Sequence, residues 1–235
     1  MLNRLALPAA VAVLSCVLVA CGGSSSSTAA VDTPPTSPTA SASSAGTVSC
    51  DYPASPLAAT RKVDPPPATP DVHGKVAVTM TTSIGDLHAT LDADKTPCTV
   101  SSFVSLAKQG YFDKTTCHRL TVAPSTIFVL QCGDPSGTGT GGPGYTIPDE
   151  LSGNETYGAG TLAMANTGKP DTGGSQFFIV YRDTPLPASY TVFGQVDAAG
   201  VQAVRKMAAQ GTDNAFGDGD GHPKVPVTID GVTVG

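Results

Sequence analysis

The 235-residue chain has no tryptophan and only 6% aromatic residues, so its core must be assembled from aliphatic side chains spread over many short elements. Charge is sparse as well: 14% of residues are charged, the net is −6, and Lys and Arg form no cluster. A nucleic-acid binder needs a basic stripe to neutralise phosphates, so that class is set aside. No CxxC or His–Cys spacing suggests zinc, and His73, His88, His118 and His222 are scattered. Neither a metal nor any other cofactor is implied. A membrane-spanning helix needs about 20 apolar residues, and the longest apolar run, Leu5 to Ala20, falls short of that and contains Pro8.

Glycine and proline, by contrast, number 26 and 20, the composition of a fold rich in turns and short strands. The start of the chain is of another kind. Arg4 followed by the apolar run to Ala20 reads as an export signal over residues 1–20. Leu18-Val19-Ala20-Cys21 resembles a bacterial lipobox, which makes Cys21 the lipidation site and the first residue of the mature protein. Residues 21–70 are dominated by Ser, Thr, Ala and Pro, including Ser24 to Ser27 and Pro65 to Pro67. Such a segment cannot bury a core and reads as a disordered tether. The expected location is the outer face of a bacterial cell membrane, with the lipid as anchor. Cys50, Cys98, Cys117 and Cys132 remain, an even number suited to an oxidising compartment; three pairings are open.

The folded domain is expected over residues 71–235. Val76, Val78 and Met80 alternate with polar residues, and a second run ending at Leu91 follows Ile84-Gly85, giving a strand pair. Thr96 can cap, and Pro97 open, a helix with Val100, Phe103, Val104 and Ala107 on one face and Gly110 as its stop. Short strands follow near 117–121, 126–131, 161–165, 177–181 and 192–196. A second helix carries Val201, Val204 and Ala208, and Val225 to Val234 supplies a last strand. This order describes a β-barrel capped by helices at both ends.

Six motifs then stand in sequence: Cys117-His118-Arg119-Leu120, Phe128-Val129-Leu130-Gln131-Cys132-Gly133-Asp134, the glycine run Gly137 to Gly142, Leu162-Ala163-Met164-Ala165-Asn166, Gly174-Ser175-Gln176-Phe177-Phe178-Ile179, and Val192-Phe193-Gly194. In order and spacing the chain from Lys75 to Val234 resembles the cyclophilin-type peptidyl-prolyl isomerases. The resemblance implies a mainly β fold, a closed antiparallel eight-stranded barrel with two capping helices, and catalysis of cis/trans isomerisation at X-Pro bonds. It implies Arg119 and Gln131 as catalytic residues. Phe128, Val129, Phe178 and Leu186 would line a proline pocket, and Ala165, Asn166 and Gln176 would contact the substrate backbone. Tyr190 stands where many members have a pocket histidine, and Pro185 where some have a tryptophan that contributes to cyclosporin binding. For Asn166 a turn-forming role competes, and His118, on the opposite strand face to Arg119, reads as structural. The implied partners are proline-containing polypeptides and, through the lipid, the membrane, with the chain a monomer. A Pro-peptide binding or chaperone module with little turnover is the alternative, and a purely structural envelope lipoprotein the third reading.

Other signals are declined. Gly137 to Gly144 lacks the GK[ST] ending and following helix of a phosphate loop. Asp213 to Asp220 misses EF-hand spacing and reads as a loop.

Overall fold

The computed structural model of the protein describes residues 48–235. The signal segment, Cys21 and the tether before residue 48 lie outside the described residues. Strands β1 (Lys75–Thr82) and β2 (Gly85–Asp92) form a hairpin paired without a slip from Lys75↔Asp92 to Thr82↔Gly85. Because side chains alternate across a strand, Val78, Met80, Leu87 and Leu91 all point into the core. Lys75 and Asp92 form an ion pair at the open end of the hairpin.

Helix α1 (Pro97–Lys108) begins at the expected proline. Thr96 does not cap it: its hydroxyl donates back to the Asp92 carbonyl at 3.1 Å. The acceptor for the first turn comes instead from Glu150, whose carboxylate receives the N–H groups of Cys98 at 2.9 Å and Thr99 at 2.8 Å. Those donors have no partner inside the helix, and a negative charge at the positive end of the helix dipole suits them.

Then follow β3 (Thr115–Thr116), β4 (Arg119–Thr121), β5 (Val129–Cys132), β6 (Thr161–Met164), β7 (Phe177–Val180), β8 (Val192–Val196), α2 (Ala198–Ala208), β9 (Asp220–Gly221) and β10 (Thr228–Val234). All pairings are antiparallel, in the order β3-β10-β1-β2-β8-β6-β7-β5-β4-β9. Strands β3 and β4 are two pieces of one run interrupted by Cys117 and His118, so the sheet curls until this run joins its β3 margin to β4, one strand in from the β9 margin. The mainly β fold with two helices is the expected one, but it has ten strands rather than eight. The additional two are the two-residue β3 and β9, too short to leave an alternating pattern in sequence. Likewise β5 starts at Val129, not near Thr126.

Inside the curl, Phe103 and Phe112 stack with ring centroids 5.0 Å apart, and Phe177 and Phe193 close on Phe103 at 5.6 and 5.5 Å. Leu120, Leu130, Leu162 and Ile179 fill the same interior, with Val204 and Met207 from α2. A smaller apolar cluster of Val129, Tyr157, Ala163, Phe178 and Val180 lies apart from it. Alternation explains the division: Leu130 and Ile179 face one side of the sheet, and their neighbours Val129 and Phe178 face the other.

Residues 48–70, expected as the end of the tether, lie against the barrel. Cys50 is disulfide-bonded to Cys98 at the start of α1. Ser55 N donates to Gly144 O, Thr146 N to Pro53 O and Thr60 N to Gly142 O, each at 2.9 Å. The boundary shifts because a proline-rich segment without a core of its own can still satisfy its backbone on a neighbouring loop once a covalent bridge holds it there. The second bridge joins Cys117 to Cys132, across β4 and β5.

Candidate functional site

The sheet register brings the predicted residues together. Arg119 on β4 pairs with Gln131 on β5, Gln131 with Phe178 on β7, Phe178 with Ala163 on β6, and Ala163 with Val192 on β8. Residues in such a row share one face of the sheet, here the face of the smaller cluster. Polar groups therefore occupy one end of a row whose middle is apolar.

At the polar end Arg119 is held by Asp220 of β9. Its Nε and Nη2 donate to the two carboxylate oxygens at 2.8 and 2.7 Å, and Nη1 to Gln131 Oε1 at 3.4 Å. The arginine side chain is 32% exposed and the aspartate 23%, so the pair is half-withdrawn from water yet reachable. The Asp220 hydrogen bonds raise the Arg119 pKa further, outweighing burial, and the guanidinium is a cation at any working pH. A guanidinium has five N–H donors; with three engaged, two are left without a partner among the described residues.

Gln131 continues the chain of bonds. Its Nε2 donates to Gln176 Oε1 at 2.9 Å, and Gln176 Nε2 donates to the carbonyls of Gly139 and Gly141 at 3.0 and 2.9 Å. The direction is self-consistent, because each amide presents oxygen toward Arg119 and nitrogen toward the glycine loop. That loop is organised by Asp134, which has no exposed surface and accepts from Ser136, Gly139 N and Gly141 N. Burial alone would raise its pKa, but these donors more than offset it and hold the carboxyl below the usual range. A Cβ at position 141 would lie 2.0 Å from Asp134 Oδ1 and 2.5 Å from Thr60 Oγ1, so only glycine fits between the carboxylate and the N-terminal strap.

A carboxyl with a depressed folded-state pKa contributes stability above its unfolded pKa, and loses it as pH falls through the folded value. Asp134→Asn is therefore expected to lower the thermal midpoint at pH 7 by the equivalent of about 2–3 kcal/mol, the scale of a buried charge whose donors lose an acceptor. The gap from the unsubstituted protein should close below about pH 4, the ordinary aspartate range. Thermal melts from pH 3 to 7 check this, and a gap independent of pH would refute it.

At the apolar end Phe178 is 4% exposed. Tyr190 meets it edge-on, centroids 5.4 Å apart at 85°, and Tyr157 lies behind both at 6.3 and 6.0 Å. The Tyr157 hydroxyl donates to Tyr190 O and accepts from Tyr190 N, fixing the backbone that carries the ring. Ala165 and Leu186 pack on the same cluster beside Val129. Phe128 is placed differently: it packs on the main core, against Tyr181, with the Arg182 guanidinium 3.3 Å above its ring centre. Its N–H donates to Thr184 Oγ1, tying it to the loop that presents Leu186. Both polar ends of Asn166 are engaged, Nδ2 on Ser189 O and Oδ1 on Gly168 N; it joins two loops at the rim. His118 is buried, and burial lowers its pKa despite nearby Asp134. Its ring lies against Gly139 of the glycine loop.

A family model described as cyclophilin type peptidyl-prolyl cis-trans isomerase/CLD matches residues 77–234. The chain belongs to the cyclophilin family. Among its relatives, the probable peptidyl-prolyl cis-trans isomerase B of Mycobacterium tuberculosis is 48% identical over 197 residues, covering 78% of this chain and 63% of that protein. The corresponding protein of Mycobacterium leprae is 44% identical, with 65% of it covered. The chain thus spans just under two thirds of the length of these mycobacterial relatives. Peptidyl-prolyl cis-trans isomerase B of Bacillus subtilis is 52% identical over 114 residues, 48% of this chain and 76% of that protein. A crystal structure of a cyclophilin type peptidyl-prolyl cis-trans isomerase from Cryptosporidium parvum superposes with TM-score 0.60 at 30% identity, covering 68% of this chain and 98% of that one. The same protein was also solved in the presence of the dipeptide Ala-Pro, with TM-score 0.59.

Three features of this cyclophilin site were not found in its sequence. Asp220, placed in a plain loop, clamps Arg119 from 101 residues away, and no local pattern marks it. Tyr157 sits behind the pocket without a motif. Asp134 ends a recognised motif, but its role shows only once the glycine loop is seen folded around it.

Proposed function

We propose that this cyclophilin is a peptidyl-prolyl cis-trans isomerase acting on X-Pro bonds. The observation that carries the reading is the row itself: a fixed guanidinium with two unused donors at one end and a preformed apolar cluster around Phe178 in the middle. Isomerisation needs no nucleophile. Its barrier of about 18–20 kcal/mol is the loss of amide conjugation, so an environment favouring the twisted bond over the planar one is sufficient. In this reading the proline ring rests on Phe178 among Val129, Ala165, Leu186 and Tyr190, out of water. Arg119 donates to the prolyl nitrogen as its lone pair localises, a donor preorganised for the transition state. Gln131 and Asp220 are positioning residues; Gln176 sets Gln131 and can offer its amide edge to the substrate backbone. Phe128 borders the pocket from the Thr184 side.

The same reading places the enzyme outside the cytoplasmic membrane, acting on exported proteins as they fold, with Cys21 as lipid attachment point and residues 1–20 as export signal. The support is the signal-like start together with two disulfides in the described domain, a redox state typical of exported proteins. The activity is tested on a short X-Pro peptide, whose uncatalysed relaxation takes about 10–100 s. Substoichiometric protein should shorten that relaxation; an unchanged time at saturating protein, with binding retained, would favour the binding-module reading. For the location, Cys21→Ser should move the full chain from the membrane to the soluble fraction of an expressing bacterium.

A further inference from the structure

Between the end of β7 and helix α2 lies a cavity of about 270 Å³, lined by Val122, Tyr181, Arg182, Arg205 and Ala208 among others. No carboxylate lines it. Among the described residues neither Arg182 nor Arg205 takes part in an ion pair, and the one side-chain hydrogen bond from either is that of Arg205 Nε to Tyr181 O. Neighbouring Asp183 is turned elsewhere, its Oδ1 accepting from Ala159 N at 2.9 Å. In a chain of net charge −6, two exposed arginines lining one hollow without a carboxylate partner are an unspent preference for an anion. Guanidinium forks match carboxylates in a bidentate way. Nor is the hollow remote from the isomerase site. Arg182 lies over Phe128 at 3.3 Å, and the Phe128 backbone is bonded to Tyr181 N and to Thr184 Oγ1, on the segment that leads to Leu186.

We propose that the Arg182–Arg205 hollow is a specificity subsite for an acidic side chain of the bound polypeptide, Asp or Glu, a few residues from the proline. The inference rests on the isomerase reading for its substrate, and names a class within it: X-Pro segments flanked by acid. Phe128 links the two sites, with its ring under Arg182 and its backbone bonded to Tyr181 and Thr184. The remaining walls, Val122, Ala123, Tyr181, Ala208 and Ala209, carry no charge; they shape the hollow without competing for the anion.

The test uses labelled peptides sharing one X-Pro bond, with a single Asp, Asn or Lys moved through successive positions on either side. Both turnover and binding by fluorescence anisotropy are measured. At one position Asp should bind about fivefold more tightly than Asn, the scale of a partly solvated charge pair, and Lys more weakly than either. That preference should shrink as salt is raised and vanish in Arg182→Gln/Arg205→Gln. Arg182→Gln alone, which leaves the Arg205 bond to Tyr181 in place, should reduce it by part, so the test survives if the double variant folds poorly. Equal affinity for Asp and Asn at every position, or a preference that persists in both variants, would overturn the proposal. Absence of turnover with the Asp preference intact would count against the isomerase reading and leave the subsite standing.

Discussion

Arg119→Ala is expected to lower kcat/KM for an X-Pro peptide by about 10²- to 10³-fold, the effect of removing one preorganised donor from a transition-state site. That corresponds to about 3–4 kcal/mol of barrier. Peptide affinity should change much less, because the apolar contacts around Phe178 are made equally with planar and twisted bonds. Arg119→Lys should fall between, since an ammonium keeps the charge but cannot hold both oxygens of Asp220 while presenting further donors at a fixed angle. Asp220→Asn separates positioning from chemistry: the guanidinium remains, its clamp weakens, and kcat should drop by less than in Arg119→Ala. Parallel kinetics and anisotropy on the three variants read these differences. A fall in affinity equal to the fall in kcat/KM for Arg119→Ala would show that the arginine binds both states alike and does no isomerisation chemistry.

The second large effect is on stability. Cys50→Ala/Cys98→Ala removes a bridge between residues 48 apart, and a loop of that length constrains the unfolded chain by about 4 kcal/mol in the entropic account. For a domain of this size the thermal midpoint should fall by roughly 8–16 °C. The consequence reaches the site by a defined route. Without the bridge the strap that places Thr60 against Gly142 is held by non-covalent contacts alone, among them the Arg61 guanidinium on the carbonyls of Gly110, Tyr111 and Asp113, and the carbonyls of Gly139 and Gly141 that anchor Gln176 lose part of their outer support. Turnover at 25 °C should therefore decline by less than tenfold while the midpoint collapses; calorimetry beside the peptide assay resolves the two. A midpoint within 2–3 °C of the unsubstituted protein, against the loop-entropy figure, would mean the bridge contributes little to stability and the strap is held by its other contacts.

The contrast between Arg119 and Asp220 shows how far sequence reasoning reaches. Arg119, Gln131 and Phe178 each sit in a motif of the family resemblance, so their neighbourhood follows from local text even though their strands are too short or too uniformly buried to show alternation. Asp220 belongs to a two-residue strand in a stretch of Gly and Asp, and only the curl of the sheet brings it to Arg119. Glu150 is similar. Helix α1 was legible from Pro97 and its apolar face, but the carboxylate that receives its first N–H groups arrives from 51 and 52 residues downstream. The strap escaped for a different reason: its composition describes a chain unable to bury itself, which is correct, but says nothing of a partner surface. Cysteine number pointed to disulfides, while their pairing depended on which strands and helix ends became neighbours. The resemblance implies a pocket position for Phe128; the packing puts its ring on the core side, beneath Arg182.

Residues 115–121 join one margin of the curled sheet, β3, to β4, the strand next to the other. This bears on the order in which the protein becomes competent. Arg119 can be oriented only when β9 has been synthesised and has found β4, a contact spanning about half the chain. Pairings of such separation close late, since the entropy of bringing distant segments together must be met first. A nascent chain that has not reached Asp220 lacks β10 as well, so neither the clamp on Arg119 nor the β1–β10 pairing forms before residues 220–234 have been synthesised. The seam of the barrel is thus the last part of the fold to be set.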